Sequence, residues 1–239
     1  MADKVSAGRA VAAEATGTAM LLCAVVGSGI MGDRLSGGNV ALALLVNSVA
    51  TGGALFCLIA AFGPISGAHF NPVVTLADAS QRGLPWTRVP AYLAAQCGGA
   101  CAGVIAAHAM FGEPLVMISQ RDRSGGAQML SETIATFGLL AVIWGCSRRR
   151  GLLTPFAVAA YITAAYWFTS STSFANPAVT IARSMTDTFT GIRPGDVPGF
   201  VIAQLTGAAG ATLLFRWLVP ALPSGAADVV MPRQQRGVE

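Results

Sequence analysis

Two short runs hold most of the residues in this chain that could do chemistry: GAHFNPVVT at 67–75 and FANPAVTIA at 174–182. Each has Asn followed by Pro, and a Thr four residues after the Asn. Such groups make hydrogen bonds rather than break covalent bonds, because an amide offers two N–H donors and one carbonyl acceptor. Catalytic signatures do not occur. There is no Gly-x-Ser-x-Gly and no His-Glu-x-x-His, and the two histidines, His69 and His108, lie far apart in sequence. Two acids, Glu14 and Glu132, stand inside apolar stretches, where an ionisable side chain is expensive and marks function or an internal partner.

The elements that position these residues follow from composition. Of 239 residues, 54% are hydrophobic and 11% charged, and the mean hydropathy is +0.61. A soluble domain carries about 25% charged residues, so the solvent expected here is lipid. Six segments reach the length of about 20 apolar residues that a bilayer requires: 10–31, 39–62, 88–111, 128–147, 152–171 and 198–219. Two shorter pieces remain, 71–80 and 176–187, and they hold the Asn-Pro pairs. At 1.5 Å per residue, ten residues of helix span about 15 Å, or half a bilayer. Proline suits the first turn of a helix and Asn suits its N-cap. Asn-Pro therefore predicts a helix that starts within the membrane, a place tolerated only where protein or a water-filled cavity surrounds it.

The chain repeats itself. VPAYLAAQCGGACAG at 89–103 matches VPGFVIAQLTGAAGA at 197–211, with Gln96 on Gln204 and Gly99 on Gly207. Glu14, Thr18, Leu21 and Leu22 match Glu132, Thr136, Leu139 and Leu140, and Asn71, Pro72 and Thr75 match Asn176, Pro177 and Thr180. Each half has three spans, so the second half enters from the opposite face, which makes an inverted repeat. The expected fold is an all-α membrane protein of six transmembrane helices and two re-entrant half-helices. It forms one domain over 1–239, with repeats at about 9–111 and 128–220 and a short tail at 221–239. Two half-helix N-termini and two amides then converge on one point, a polar constriction hostile to cations and protons.

With the N-terminus placed in the cytoplasm, the inside holds Lys4, Arg9, Arg82, Arg88, Arg148, Arg149, Arg150, Arg216, Arg233 and Arg236. The outside holds Arg34, Arg121, Arg123, Arg183 and Arg193. The bias predicts both termini inside a multi-pass protein of the cell (inner) membrane, with SRRRG at 147–151 as the strongest marker. The net charge of +4 is thus a topology signal rather than one for nucleic acid, and MADKVSAGRA shows no cleavable signal pattern. Cys23, Cys57, Cys97, Cys101 and Cys146 all fall in apolar segments. They predict neither a disulfide framework nor a metal finger; Cys97 and Cys101, one turn apart, read as packing residues rather than a soft-metal site. No cofactor is expected.

SGAHFNPVVT and FANPAVT, with the two glutamates, resemble the paired Asn-Pro-Ala boxes of the aquaporin and aquaglyceroporin (major intrinsic protein) family, over roughly 9–220. The resemblance implies a homotetramer in the lipid bilayer, each protomer with its own pore for water or small neutral solutes. Asn71, Pro72 and Val73, and Asn176, Pro177 and Ala178, would be the boxes; His69 would line the cytoplasmic half of the pore; Glu14 and Glu132 would brace the re-entrant loops. His108 receives no role. The small pairs Gly99/Gly103 and Gly207/Ala211 would let the third and sixth spans pack closely. Counting from the boxes as the family does places a four-residue filter at Thr51, Ala164, Ser173 and Val179. Val179 stands where the family usually has Arg. Arg183 follows one turn later and is expected near the outer mouth, with the competing possibility that it turns into the filter. A ring with neither aromatic nor charge reads as wide, which points to glycerol-like polyols and neutral metalloid hydroxides such as arsenite. The Val also resembles arsenic-resistance-associated bacterial members, which adds methylated arsenicals. An ion- or proton-coupled secondary transporter is the alternative, because it too uses inverted repeats and broken helices.

Overall fold

The computed structural model describes residues 5–146 and 153–219, so SRRRG at 147–151 and the tail at 221–239 lie outside the described residues. Among the described residues the chain forms eight α-helices: α1 (Ala7–Leu35), α2 (Val40–Ser66), α3 (Pro72–Ser80), α4 (Val89–Phe111), α5 (Gly126–Cys146), α6 (Thr154–Phe168), α7 (Pro177–Arg183) and α8 (Val197–Leu218). The helix starts follow local chemistry. Ser6 and Asn39 cap α1 and α2 by accepting from Arg9 N and Leu42 N, and Pro occupies the first turn of α4, α6 and α8. Gly67 and Gly112, both left-handed, end α2 and α4.

Five of the six long helices (α1, α2, α4, α5 and α8) are long and apolar enough to cross a membrane. The sixth, α6, has 15 residues. The two short elements fall where Asn-Pro predicts, though α7 is shorter than expected and ends at Arg183.

Packing follows the repeat. In the first half α1 packs on α2 and α4; in the second α5 packs on α6 and α8; α2 meets α6 across the halves, and α3 and α7 sit against α4 and α8. The small residues explain the closest approaches. A methyl group on Gly99 would lie 2.2 Å from the Ala15 carbonyl oxygen, and one on Gly207 2.3 Å from that of Thr133. The third and sixth spans therefore each close on the first helix of their own half, backbone against backbone. Lipid tails are as apolar as Leu, so such contacts come from van der Waals packing rather than hydrophobic burial.

Gly98 and Gly99 offer a matched test. A Cβ at Gly98 meets nothing within 4 Å. Gly98→Ala should raise the thermal midpoint in detergent slightly, since Ala gains up to about 1 kcal/mol over Gly in a helix. Gly99→Ala should lower it, because the α1 backbone must shift and overpacking costs about 1–3 kcal/mol.

Candidate functional site

Asn71 and Asn176 cap the two half-helices. Asn71 Oδ1 accepts from Val73 N at 3.0 Å, and Asn176 Oδ1 accepts from Ala178 N at 3.0 Å and Val179 N at 3.3 Å. With the oxygen held by the cap, each amide nitrogen points at the other half. Asn71 Nδ2 donates to the Ala175 carbonyl at 2.8 Å, and Asn176 Nδ2 donates to the Phe70 carbonyl at 2.8 Å. The half-helices are thus cross-tied at their N-terminal ends. Each NH₂ group has a second N–H, and both Asn residues border one central cavity.

The loops before the boxes are strained in register. Ala68 and Phe70 have φ of 49°, as do Ser173 and Ala175, and Thr172 at 59° matches Gly67 at 94°. Left-handed backbone costs a residue with a Cβ about 1–2 kcal/mol. The two buried glutamates hold this geometry. Glu14 accepts from Ser66 Oγ (2.6 Å), His69 N (2.9 Å), Phe70 N (2.7 Å) and Gln96 Nε2 (2.8 Å). Glu132 accepts from Ser171 Oγ (2.6 Å), Phe174 N (2.8 Å), Ala175 N (2.9 Å) and Gln204 Nε2 (2.8 Å). Gln96 and Gln204 also donate to Thr75 and Thr180, at 2.8 Å each. The repeat had aligned all four of these residues without revealing that each Gln links brace to half-helix.

The cavity has a volume of about 60 Å³, room for a handful of waters. Its walls are apolar, with Leu21 and Val25 of α1 matched by Leu139 and Ile143 of α5. The polar groups along it are few: Thr51, His69, Asn71, Tyr166, Ser173, Asn176 and Arg183. Of the box residues, Pro72, Val73, Pro177 and Ala178 are buried and form the helix starts rather than the cavity lining. His69 borders the cavity with Nδ1 3.1 Å from Thr75 Oγ1 and Nε2 3.4 Å from Asp78 Oδ2.

The filter expectation needs correction. Thr51, Ser173 and Val179 border the cavity, but Ala164 does not; it is exposed on the outer face of α6. Tyr166 takes its place, its hydroxyl 3.2 Å from Thr51 Oγ1. Two residues on a helix are about 200° apart at 3.6 per turn, so counting back across the loop landed on the opposite face. The ring is also not free of charge. Arg183 borders the cavity, is 2% exposed, donates Nε–H to the Thr190 carbonyl and lies 3.4 Å over the Phe174 ring centroid. It forms no salt bridge among the described residues. Arg123, in the loop before α5, lies 4.9 Å over the same ring and donates to the carbonyls of Gly191 and Ser171. Burial lowers the Arg123 pKa to about 10, so it stays charged at neutral pH. The Arg183 side chain, expected near the outer mouth or turned into the filter, borders the cavity. A phenol and a guanidinium give this end of the cavity polar groups that the four counted residues lack.

His108, without a role in the sequence, is a tie. Its Nε2 is 2.7 Å from Thr186 Oγ1 and its Nδ1 is 3.0 Å from the Leu115 carbonyl, linking α4 to two loops.

Glu132→Ala should strand two buried backbone N–H groups, at about 1–3 kcal/mol each. The expected result is a lower thermal midpoint in detergent and loss of solute flux in vesicles. Glu132→Gln, which keeps one acceptor but faces donors with its NH₂, should fall between.

The model of the family described as "Major intrinsic protein" matches residues 1–172. Aquaglyceroporin AqpS of Rhizobium meliloti (strain 1021) is 55% identical over 212 residues, which cover 88% of this chain and 91% of that protein. Aquaporin NIP2-2 of Zea mays is 35% identical over 210 residues, covering 84% of this chain and 69% of that protein. The X-ray structure of the aquaglyceroporin from Plasmodium falciparum superposes with a TM-score of 0.67 at 20% identity, covering 91% of this chain and 99% of that one. That last similarity concerns fold alone; together with the family match and the relatives over most of its length, it completes the assignment: the chain belongs to the major intrinsic protein family.

Proposed function

We propose that this protein is a passive membrane channel for water and small neutral, glycerol-like solutes, and that its pore is the cavity between the half-helices. The observation that carries this reading is one continuous set of lining residues. It joins the outer group (Thr51, Tyr166, Ser173, Val179, Arg183) to both box amides and to His69. A file of apolar wall with a few fixed hydrogen-bonding groups replaces part of a neutral solute's hydration, whereas an ion loses far more than such walls return. The buried cation at Arg183 and the donors of Asn71 and Asn176 act in the same direction against cations and protons.

Coupled transport has less support. The two acids available for ion coupling, Glu14 and Glu132, are fully buried, accept four hydrogen bonds each and do not border the cavity. Their role in this reading is to brace the loops. Undissociated arsenite, a neutral trihydroxide the size of a small polyol, belongs to the same solute class, and methylated neutral arsenicals extend it. The single channel domain assembles as a homotetramer in the cell (inner) membrane. Six spans return the chain to the side on which it starts, in agreement with the excess of Lys and Arg assigned inside. That excess depends on Lys4, Arg148, Arg149, Arg150, Arg233 and Arg236, beyond the described residues.

The filter is tested by size discrimination. Tyr166→Ala and Arg183→Ala should each raise the flux of a bulky neutral solute several-fold while changing water flux much less, measured by stopped-flow light scattering on reconstituted vesicles. Val179→Arg should cut the bulky solute more than water. An equal change for both solutes would mean that these positions do not set the cutoff. For orientation, a single cysteine at position 148 in a cysteine-free chain should resist an impermeant thiol reagent in intact cells and react after lysis.

A further inference from the structure

Asn71 and Asn176 are 105 positions apart, and so are His69 and Phe174, and Asp78 and Arg183. In both halves, therefore, a ring two residues before the Asn borders the cavity and is met by a charged residue seven positions after it. In the outer half the pair is Phe174 and Arg183, stacked at 3.4 Å. In the inner half it is His69 and Asp78, with Nε2 3.4 Å from Oδ2.

Nothing in the family resemblance called for Asp78, and its position is costly. It is 2% exposed and sits in the last turn of α3, where the helix dipole is negative and disfavours a carboxylate. Its second oxygen, Oδ1, accepts no hydrogen bond among the described residues. Its other oxygen, Oδ2, faces His69 Nε2 at 3.4 Å. A carboxylate has no proton to give, so a hydrogen bond between the two needs one on Nε2; Nδ1 lies 3.1 Å from Thr75 Oγ1, whose hydroxyl donates to the Asn71 carbonyl. Thr75 is itself fixed by Gln96, which donates to it and to Glu14. The imidazole is thus anchored at one nitrogen by the brace network and at the other by Asp78.

From this placement we infer that Asp78 is a positioning residue for conduction: it clamps the His69 ring against the wall of the inner half of the pore, as Arg183 clamps Phe174 in the outer half. Without Asp78 the ring loses its tie at Nε2 and turns from the wall into the file. The inference rests on the channel reading above.

The test is epistasis between the two positions. Purified wild type, Asp78→Ala, Asp78→Asn, His69→Ala and the double variants Asp78→Ala/His69→Ala and Asp78→Asn/His69→Ala are reconstituted at equal amounts of monodisperse protein. Glycerol flux is read by stopped-flow light scattering. Asp78→Ala should conduct several-fold less than wild type. Asp78→Asn, which keeps the volume and one acceptor for Nε2–H, should fall between, and it carries the test if the alanine variant does not fold. Each double variant should recover to the level of His69→Ala alone, because the obstructing ring is gone. A purely structural role for Asp78 would leave the double variants as impaired as the single ones, and that result, or wild-type flux in both single variants, would overturn the inference. Failure of the channel reading itself would show differently, as wild-type flux no greater than that of protein-free vesicles.

Discussion

Within a bilayer there is no water to satisfy a broken backbone, and this one constraint organises the structure. Each half of the chain stops a helix midway through the membrane and leaves a loop of left-handed residues with N–H groups exposed to the interior. Two carboxylates meet that demand. Glu14 takes the amides of His69 and Phe70, and Glu132 takes those of Phe174 and Ala175. The same carboxylates take the Ser66 and Ser171 hydroxyls at the loop entrances and the Gln96 and Gln204 amides from α4 and α8. An ionisable group deep in a membrane protein otherwise suggests ion coupling; here every lone pair in view has a structural donor.

Cross-tying follows from that support. Because the loops are fixed, the Phe70 and Ala175 carbonyls stand where the amides of the opposite half reach them. The two half-helices then behave as one interrupted span. Their meeting point can be polar while the walls from α1 and α5 stay apolar, and this contrast is what a neutral-solute channel needs. Hydrogen bonds sufficient for a hydroxyl are present, and the compensation an ion would require is not.

The inverted repeat is close in the braces and broken at the ends. Backbone angles, glutamates, serines, glutamines and threonines correspond position by position. The residues seven after each Asn do not: one is an aspartate beside a histidine, the other an arginine over a phenylalanine. Symmetry in the supporting layer fixes the backbone, and the departures from it set an acid beside one cavity-lining ring and a guanidinium over the other. The Arg183 end adds Tyr166 against Thr51 and Arg123 over Phe174.

The sequence by itself determined the solvent, the spans, the inverted repeat and the two intramembrane helix starts. Each depends on local chemistry or on composition: apolar run length, Asn as a cap, Pro in a first turn, and matched residues in the two halves. It also marked Glu14, Glu132, His69, Asn71 and Asn176, because polar residues in apolar runs stand out without a structure. Tertiary structure alone decided which face of α6 meets the cavity. Ala164 and Tyr166 differ by two residues, and the path of the loop at 169–173 sets the phase of the helix, so a count along the chain could not choose between them. It alone decided where Arg183 points. Helical spacing put that residue on the Val179 side of α7, but the direction of a long side chain is set by what receives it, here the Phe174 ring and the Thr190 carbonyl from other segments. The same holds for Asp78, an unremarkable acid in the sequence until the fold sets it beside a histidine that borders the cavity.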